Sequence, residues 1–367
     1  MTKKNNKINT TQLCVLLLGV FLSMRPILEN ALQAEVLDND CIITTFFAGI
    51  INLCLTMLVC YVIYKNPNKS FYDIIKNFLG TTITKIIMFL LAIIFLFKLI
   101  IVDYQMADLL YDAIYSDINW IYFVVPIYLT FLFLALKNIK TIARCYQFFI
   151  PFAVVIFIAA LLISTANANF ENLLPFFDHN YSSFIEGFSY ILIQSGEFIF
   201  LFTFMENIIS KDKHYFKKIS ITLIIIFILV MCFYILFIAV LGKLAPYVQE
   251  SIIKMTQLDH YTYGYFKIDI FISVMYIPII ILQCALCVYS ASYSLNKSIK
   301  LNKKISSFLI ILALFLTKFI PGLNNKVIID FFYKTIGIYV IIFVLFLPII
   351  LIIASNKKEK NYEKISR

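Results

Sequence analysis

Two short polar runs interrupt stretches of this chain that are otherwise apolar. Gln194-Ser195-Gly196-Glu197 falls inside the run from 183 to 207, and Ser23-Met24-Arg25-Pro26 falls inside the run from 11 to 34. Pro26 has no backbone N–H to give and disfavours helix at Arg25, and Gly196 stands near the middle of its run. A helix broken at such a place leaves main-chain groups without partners. A carboxylate beside them can then help to coordinate a ligand amine or a cation, which makes Glu197 the leading acid. Arg25 reads either as an anchor for a ligand carboxylate or as the ion-pair partner of Glu29, four residues on.

Other polar residues recur at helical spacing. Glu186, Tyr190, Gln194 and Glu197 form one stripe, and Asp269, Ser273, Tyr276, Gln283 and Cys287 form another. Each stripe is open to two readings, the wall of a protein-lined cavity or a hydrogen-bond network between helices. Asp103 and Asp108 stand roughly 140° apart around one helix, and the deeper Asp103 is the cavity candidate. Lys98 is expected to pair with an acid on another helix. Lys267, Lys318 and Lys334 lie near helix ends, from which their ammonium groups can snorkel to water.

The elements that position these residues follow from hydropathy and charge. The chain has 367 residues, of which 62% are hydrophobic and 14% charged, and its mean hydropathy is +0.90. Only a bilayer can accept that much apolar surface, and within it the backbone must be helical. The fold expected is an all-α integral membrane protein with spans near 11–34, 41–64, 82–111, 119–136, 142–164, 183–207, 219–242, 265–293, 305–321 and 329–354. The span from Ser220 to Gly242 and the stretch Ile336–Ala354 are uncharged and are expected to face lipid.

A net charge of +10 in a soluble protein would point to nucleic acid, but here its distribution decides otherwise. Lysines cluster at the N-terminus, at 65–76, 137–140, 211–218 and 297–304, and in the basic tail 355–367. The alternate connections carry Asp38, Asp112, Glu171 and Glu250. This alternation follows the positive-inside rule and places both termini in the cytoplasm. Arg25, Pro26 and Glu29 spoil the apolar core of a secretory signal, so the first run is retained as a span.

The interruptions fall alike in the first and sixth spans. They divide one membrane domain, 1–367, into halves 11–164 and 183–354 of opposite topology, with a ligand site at the midplane. Ordinary kinks are the plainer reading of the same residues. Soluble catalytic motifs are missing from the sequence, and His179, His214 and His260 are scattered, which speaks against an enzyme. Cys284 and Cys287 form a C-x-x-C inside an apolar helix without other ligands, so no metal and no cofactor is expected.

Several short stretches resemble the spore germination permease family, the B subunits of endospore germinant receptors, a branch of the amino acid–polyamine–organocation transporter superfamily. Gly19-Val20-Phe21-Leu22-Ser23-Met24 with Pro26 resembles the family's first broken helix, although Phe21 replaces a usual glycine. Asp40 with Ala48-Gly49 resembles the start of its second helix, with Ile42 in place of the usual Trp. Ile142-Ala143-Arg144, Pro151 and Asn172-Leu173-Leu174-Pro175 resemble its fifth helix and the loop that follows, and Gly196-Glu197-Phe198 its sixth-helix break. The resemblance implies a 5+5 inverted repeat, residence in the inner membrane of the spore, and assembly with an A subunit and a lipoprotein C subunit. It implies the sensing of a small nutrient (amino acid, sugar or nucleoside) that triggers germination.

The site expected combines Ser23, Met24, Arg25, Asp103, Gln194, Ser195, Gly196, Glu197, Asp269 and Tyr276. Main chain around Ser23 and Gly196 would hold the polar head of the ligand, Glu197 an amine or cation, and Asp269 or Tyr276 the opposite wall. The alternative is a secondary amino-acid transporter coupled to Na+ or H+.

Overall fold

The computed structural model describes residues 6–24, 30–113, 121–175, 177, 180–194, 196–248, 251–257, 268–320 and 325–365. Among them the backbone is helical, with one isolated bridge, Ile8 to Ile208, in place of any sheet. That is the outcome lipid demands, since only intra-segment hydrogen bonds can satisfy the main chain there.

The first segment comprises α1 (Thr10–Met24) and α2 (Asn30–Leu37), and a tight turn at Asp38–Asp40 leads into α3 (Cys41–Lys65). α4 (Phe71–Leu79) follows, then α5 (Thr81–Ala113), α6 (Ile121–Leu136) and α7 (Ile139–Ser164). The sixth segment is α8 (Tyr181–Gln194), a tight turn at Glu197–Phe200, and α9 (Leu201–Phe204). Next come α10 (Tyr215–Leu241), α11 (Ser251–Gln257), α12 (Ile268–Ile299) and α13 (Lys303–Thr317). The last segment joins α14 (Asn325–Asp330) through a π-helical stretch, Phe331–Ile336, to α15 (Gly337–Ile365).

Seven helical stretches among the described residues are long and apolar enough to cross a membrane. α1, α6 and α13 have 15, 16 and 15 residues. At about 1.5 Å per residue each is shorter than the ~30 Å hydrocarbon core. α5 and α12 pack along each other at the centre, and α12 also touches α1, α6, α7 and α13. The periphery is apolar as well: Ile221, Ile224 and Ile228 of α10 and Ile342, Phe346 and Ile349 of α15 are exposed, on the segments expected to face lipid.

Contacts between connections divide the bundle into two rims. Lys7 reaches Asn68 at 2.6 Å, Asn138 reaches Asn6 at 2.7 Å, Ile8 bridges Ile208, and Lys65 reaches Asn356 at 2.9 Å. The segments next to both termini therefore share the basic rim. On the acidic rim the Asp40 carboxylate accepts from the Phe177 N–H at 2.6 Å, and the Asn169 N–H bonds the Ala239 carbonyl at 2.9 Å. At the basic rim Asp212 is held down to about 2, first by the His214 N–H and then by the Lys218 ammonium.

α4 lies at the basic rim as a short amphipathic helix, burying Phe71, Ile74 and Ile75 while Lys76 and Asn77 face out. Ser70 caps it reciprocally with Asp73, at 3.1 and 2.6 Å. Ser70→Ala is expected to cost about 1 kcal/mol. The check is faster amide exchange confined to 71–79; uniform exchange along the chain would contradict a local cap.

Candidate functional site

Gln-Ser-Gly is a poor continuation for a helix, because glycine surrenders more backbone freedom there than any other residue. α8 accordingly ends at Gln194, and Gly196 (φ −75, ψ 38) leads into the tight turn that begins with Glu197. The last carbonyls of α8 then lack their α-helical donors. One of them, Ile193 O, accepts from the Lys98 ammonium at 3.3 Å. Lys98 lies near the midpoint of α5 with only 3% of its surface exposed. A backbone carbonyl is thus one partner of this ammonium, beside the acid expected for it.

Beside this contact the first and sixth segments meet. The Gln33 amide on α2 donates to Gln194 Oε1 on α8 at 2.6 Å, and the Tyr234 hydroxyl on α10 donates to Gln33 Oε1 at 2.6 Å. All three side chains are buried. Glu197 is also buried, and its carboxylate accepts from the Asn52 amide on α3 at 2.8 Å. Gln33, Asn52, Tyr234 and the role of Lys98 are not foreseen from sequence. A lone amide in an apolar run was the available signal for the first two.

Asp103 faces elsewhere. Its carboxylate accepts from the Tyr128 hydroxyl at 2.7 Å and pairs with Lys318 at 2.8 Å, between α5, α6 and the end of α13. Five residues of helix turn it roughly 140° from Lys98. Lys318 does not snorkel: its side chain is 9% exposed and its ammonium sits 3.5 Å from the Tyr104 ring centroid. An uncompensated carboxylate on α5 is what draws it inward. Lys334, by contrast, remains half-exposed beside Asp330 at 3.0 Å.

The other expected site residues are distributed as follows. Ser23, in the last turn of α1, is buried and its hydroxyl donates to the Val20 carbonyl at 3.0 Å. Met24 ends α1, while Arg25 and Ser195 lie outside the described residues. Asp269 belongs to the first turn of α12, and its side chain too lies outside them. Tyr276 on α12 is fully buried, and its hydroxyl has no hydrogen-bond partner among the described residues. Further along α12, Gln283 accepts from Tyr146 of α7 at 3.2 Å. On α8 the Tyr190 hydroxyl donates to Glu186, and its ring meets Tyr333 of the π-helical stretch edge-on at 5.6 Å. The stripes therefore contain interhelical bonds as well as a hydroxyl without a partner among the described residues.

A cavity of about 660 Å3 opens on the acidic rim, lined by Glu35, Asp38, Glu171, Asn172, Lys243 and Tyr247 among others. Among the described residues no group of three or more His, Cys, Asp or Glu is placed to hold a metal ion. The C-x-x-C is buried in α12 as free thiols.

The profile described as spore germination protein matches residues 7–327. The chain belongs to the spore germination permease family. No curated protein matches it. Among solved structures it is similar to Mhp1, a nucleobase-cation-symport-1 family transporter, in a closed conformation with bromovinylhydantoin bound. The TM-score is 0.51 at 12% identity, over 93% of this chain and 78% of that one. The likeness establishes a transporter fold for this member of the family, in keeping with the all-α expectation. Family and fold alike are of the permease type, and the chain is a multi-pass membrane protein.

Proposed function

We propose that this chain is the nutrient-sensing B subunit of a spore germinant receptor. A small nutrient (amino acid, sugar or nucleoside) lodges between the interrupted first and sixth segments. The observation that carries this reading is the buried bond from Gln33 to Gln194, which joins the segment after the first interruption to the segment before the second. A ligand inserted beside that bond, on freed main chain near Ser23 and Gly196, favours one arrangement of the two segments over the other. Only such differential affinity can drive a conformational signal. Glu197 takes the amine of the ligand in place of Asn52, and Tyr276, on the α12 wall, offers its hydroxyl.

On this reading the halves 11–164 and 183–354 are inverted repeats, the basic rim faces the cytoplasm, and the membrane is the inner membrane of the spore. The A subunit and the lipoprotein C subunit complete the receptor. No catalytic role is assigned. Binding of an amine-bearing nutrient to the purified chain tests the assignment. Glu197→Gln is expected to weaken it about tenfold or more, as loss of a charge-assisted bond would. An unchanged Kd removes Glu197 from the pocket.

The likeness to a symporter favours a second reading, a secondary transporter for the same class of ligand. Uptake of labelled nutrient into proteoliposomes separates the two: concentrative uptake supports transport, and binding without uptake supports sensing.

A further inference from the structure

Lys98 meets the kind of main-chain group that holds mobile cations in other broken-helix proteins. Freed carbonyls at the C-terminal ends of half-helices coordinate Na+ in such carriers, helped by the negative end of the helix dipole. Here Ile193 O is a carbonyl of that kind, four residues before Glu197, whose N–H would have closed the next α-helical bond. The Lys98 ammonium reaches it at 3.3 Å from the middle of α5. We propose that Lys98 is a tethered cation, permanently seated at the break of the sixth segment, so that the central site takes no exchangeable Na+.

The buried carboxylates of the bundle have partners of their own. A hard cation at the break could also draw on carboxylate oxygens. Asp103 is paired with Lys318 at 2.8 Å and receives the Tyr128 hydroxyl at 2.7 Å. Glu197 receives the Asn52 amide at 2.8 Å. Lys98 and Lys318 thus place positive charge inside the bundle from within the chain, where a coupling ion would bring it from solution. An ammonium at this depth is costly unless it is bonded, which keeps Lys98 at the break. A site without exchangeable Na+ cannot draw on a Na+ gradient. The residue therefore separates a ligand-driven sensor from a Na+-driven symporter. The inference takes from the proposed function only the location of the pocket, and its test reads cations rather than the nutrient. Loss of nutrient binding would thus leave it standing.

The test is thermal unfolding of the purified full-length protein in NaCl, KCl or choline chloride at equal ionic strength. The wild-type midpoint is expected to be the same in all three. Lys98→Ala is expected to melt several degrees lower in choline, and to recover saturably with Na+ or methylammonium, which fit the vacated space. Tetramethylammonium, equal in charge but too large, should not restore it. Lys98→Met keeps the volume of the stem without the charge, and should be lowered and restored by none of them. A saturable Na+-specific rise in the wild-type midpoint overturns the proposal. So does equal recovery of Lys98→Ala in methylammonium and tetramethylammonium. Should Lys98→Ala fail to fold, the wild-type salt series decides alone.

Discussion

Lys318→Ala is expected to destabilise the folded bundle by about 3–5 kcal/mol, because it strands the Asp103 carboxylate in a low-dielectric interior. Asp103 is 1% exposed, and its described bonds are those from Lys318 and Tyr128. Removing one partner of such a pair costs more than the pair itself contributes. The double substitution Asp103→Leu with Lys318→Met is therefore expected to recover most of the loss, leaving the Tyr128 hydroxyl to find another acceptor. Reversible unfolding in mixed micelles, read as a double-mutant cycle, measures this coupling. Additive effects of the two single substitutions would show that the pair contributes nothing.

The second large effect is expected where α1 crosses α7. A Cβ on Gly19 would stand 2.4 Å from Tyr146 Cδ1 and 2.5 Å from Cε1. That ring is fully buried, and its hydroxyl is bonded to Gln283 of α12 at 3.2 Å, so it has little freedom to swing away. Gly19→Ala should cost about 1–3 kcal/mol by overpacking, and Gly19→Val more. Because Gly19 lies one turn before Ser23, the displaced α1 should also carry Ser23 with it. Amide exchange in α1 and α7 would rise in parallel with the loss of stability. Wild-type stability in Gly19→Val would mean that α1 and α7 separate freely.

Much of the fold was legible because the bilayer imposes constraints that act locally along the chain. Hydropathy located the segments, and charge parity anticipated which connections share a rim. Residues near 7, 68, 138 and 356 do meet on one side. The sixth interruption was readable from Gly196, whose backbone chemistry needs no partner to act, whereas Pro26 and the first one lie outside the described residues. The bonding within the site was less accessible. Gln33 and Gln194 are 161 residues apart, and Asn52 and Glu197 are 145 apart. Neither amide on the N-terminal side stands out, since one polar residue barely changes the hydropathy of a span. Lys98 and Asp103 illustrate the same difficulty: both were visible as buried charges on one helix, yet neither the Ile193 carbonyl nor Lys318 was readable as a partner.

By itself, then, the order of residues determined a helical membrane protein, the place where its sixth segment yields, and the side to which its basic connections belong. These follow from segment length, backbone propensity and the cost of burying charge, all properties of contiguous residues. Only the tertiary structure decided that Lys98 seats against a freed carbonyl, that Lys318 turns inward to Asp103, and that Gln33 joins Gln194. Each residue rotates a helix face by about 100°. Which neighbour a side chain meets therefore depends on how whole helices rotate and pack against segments distant in the chain.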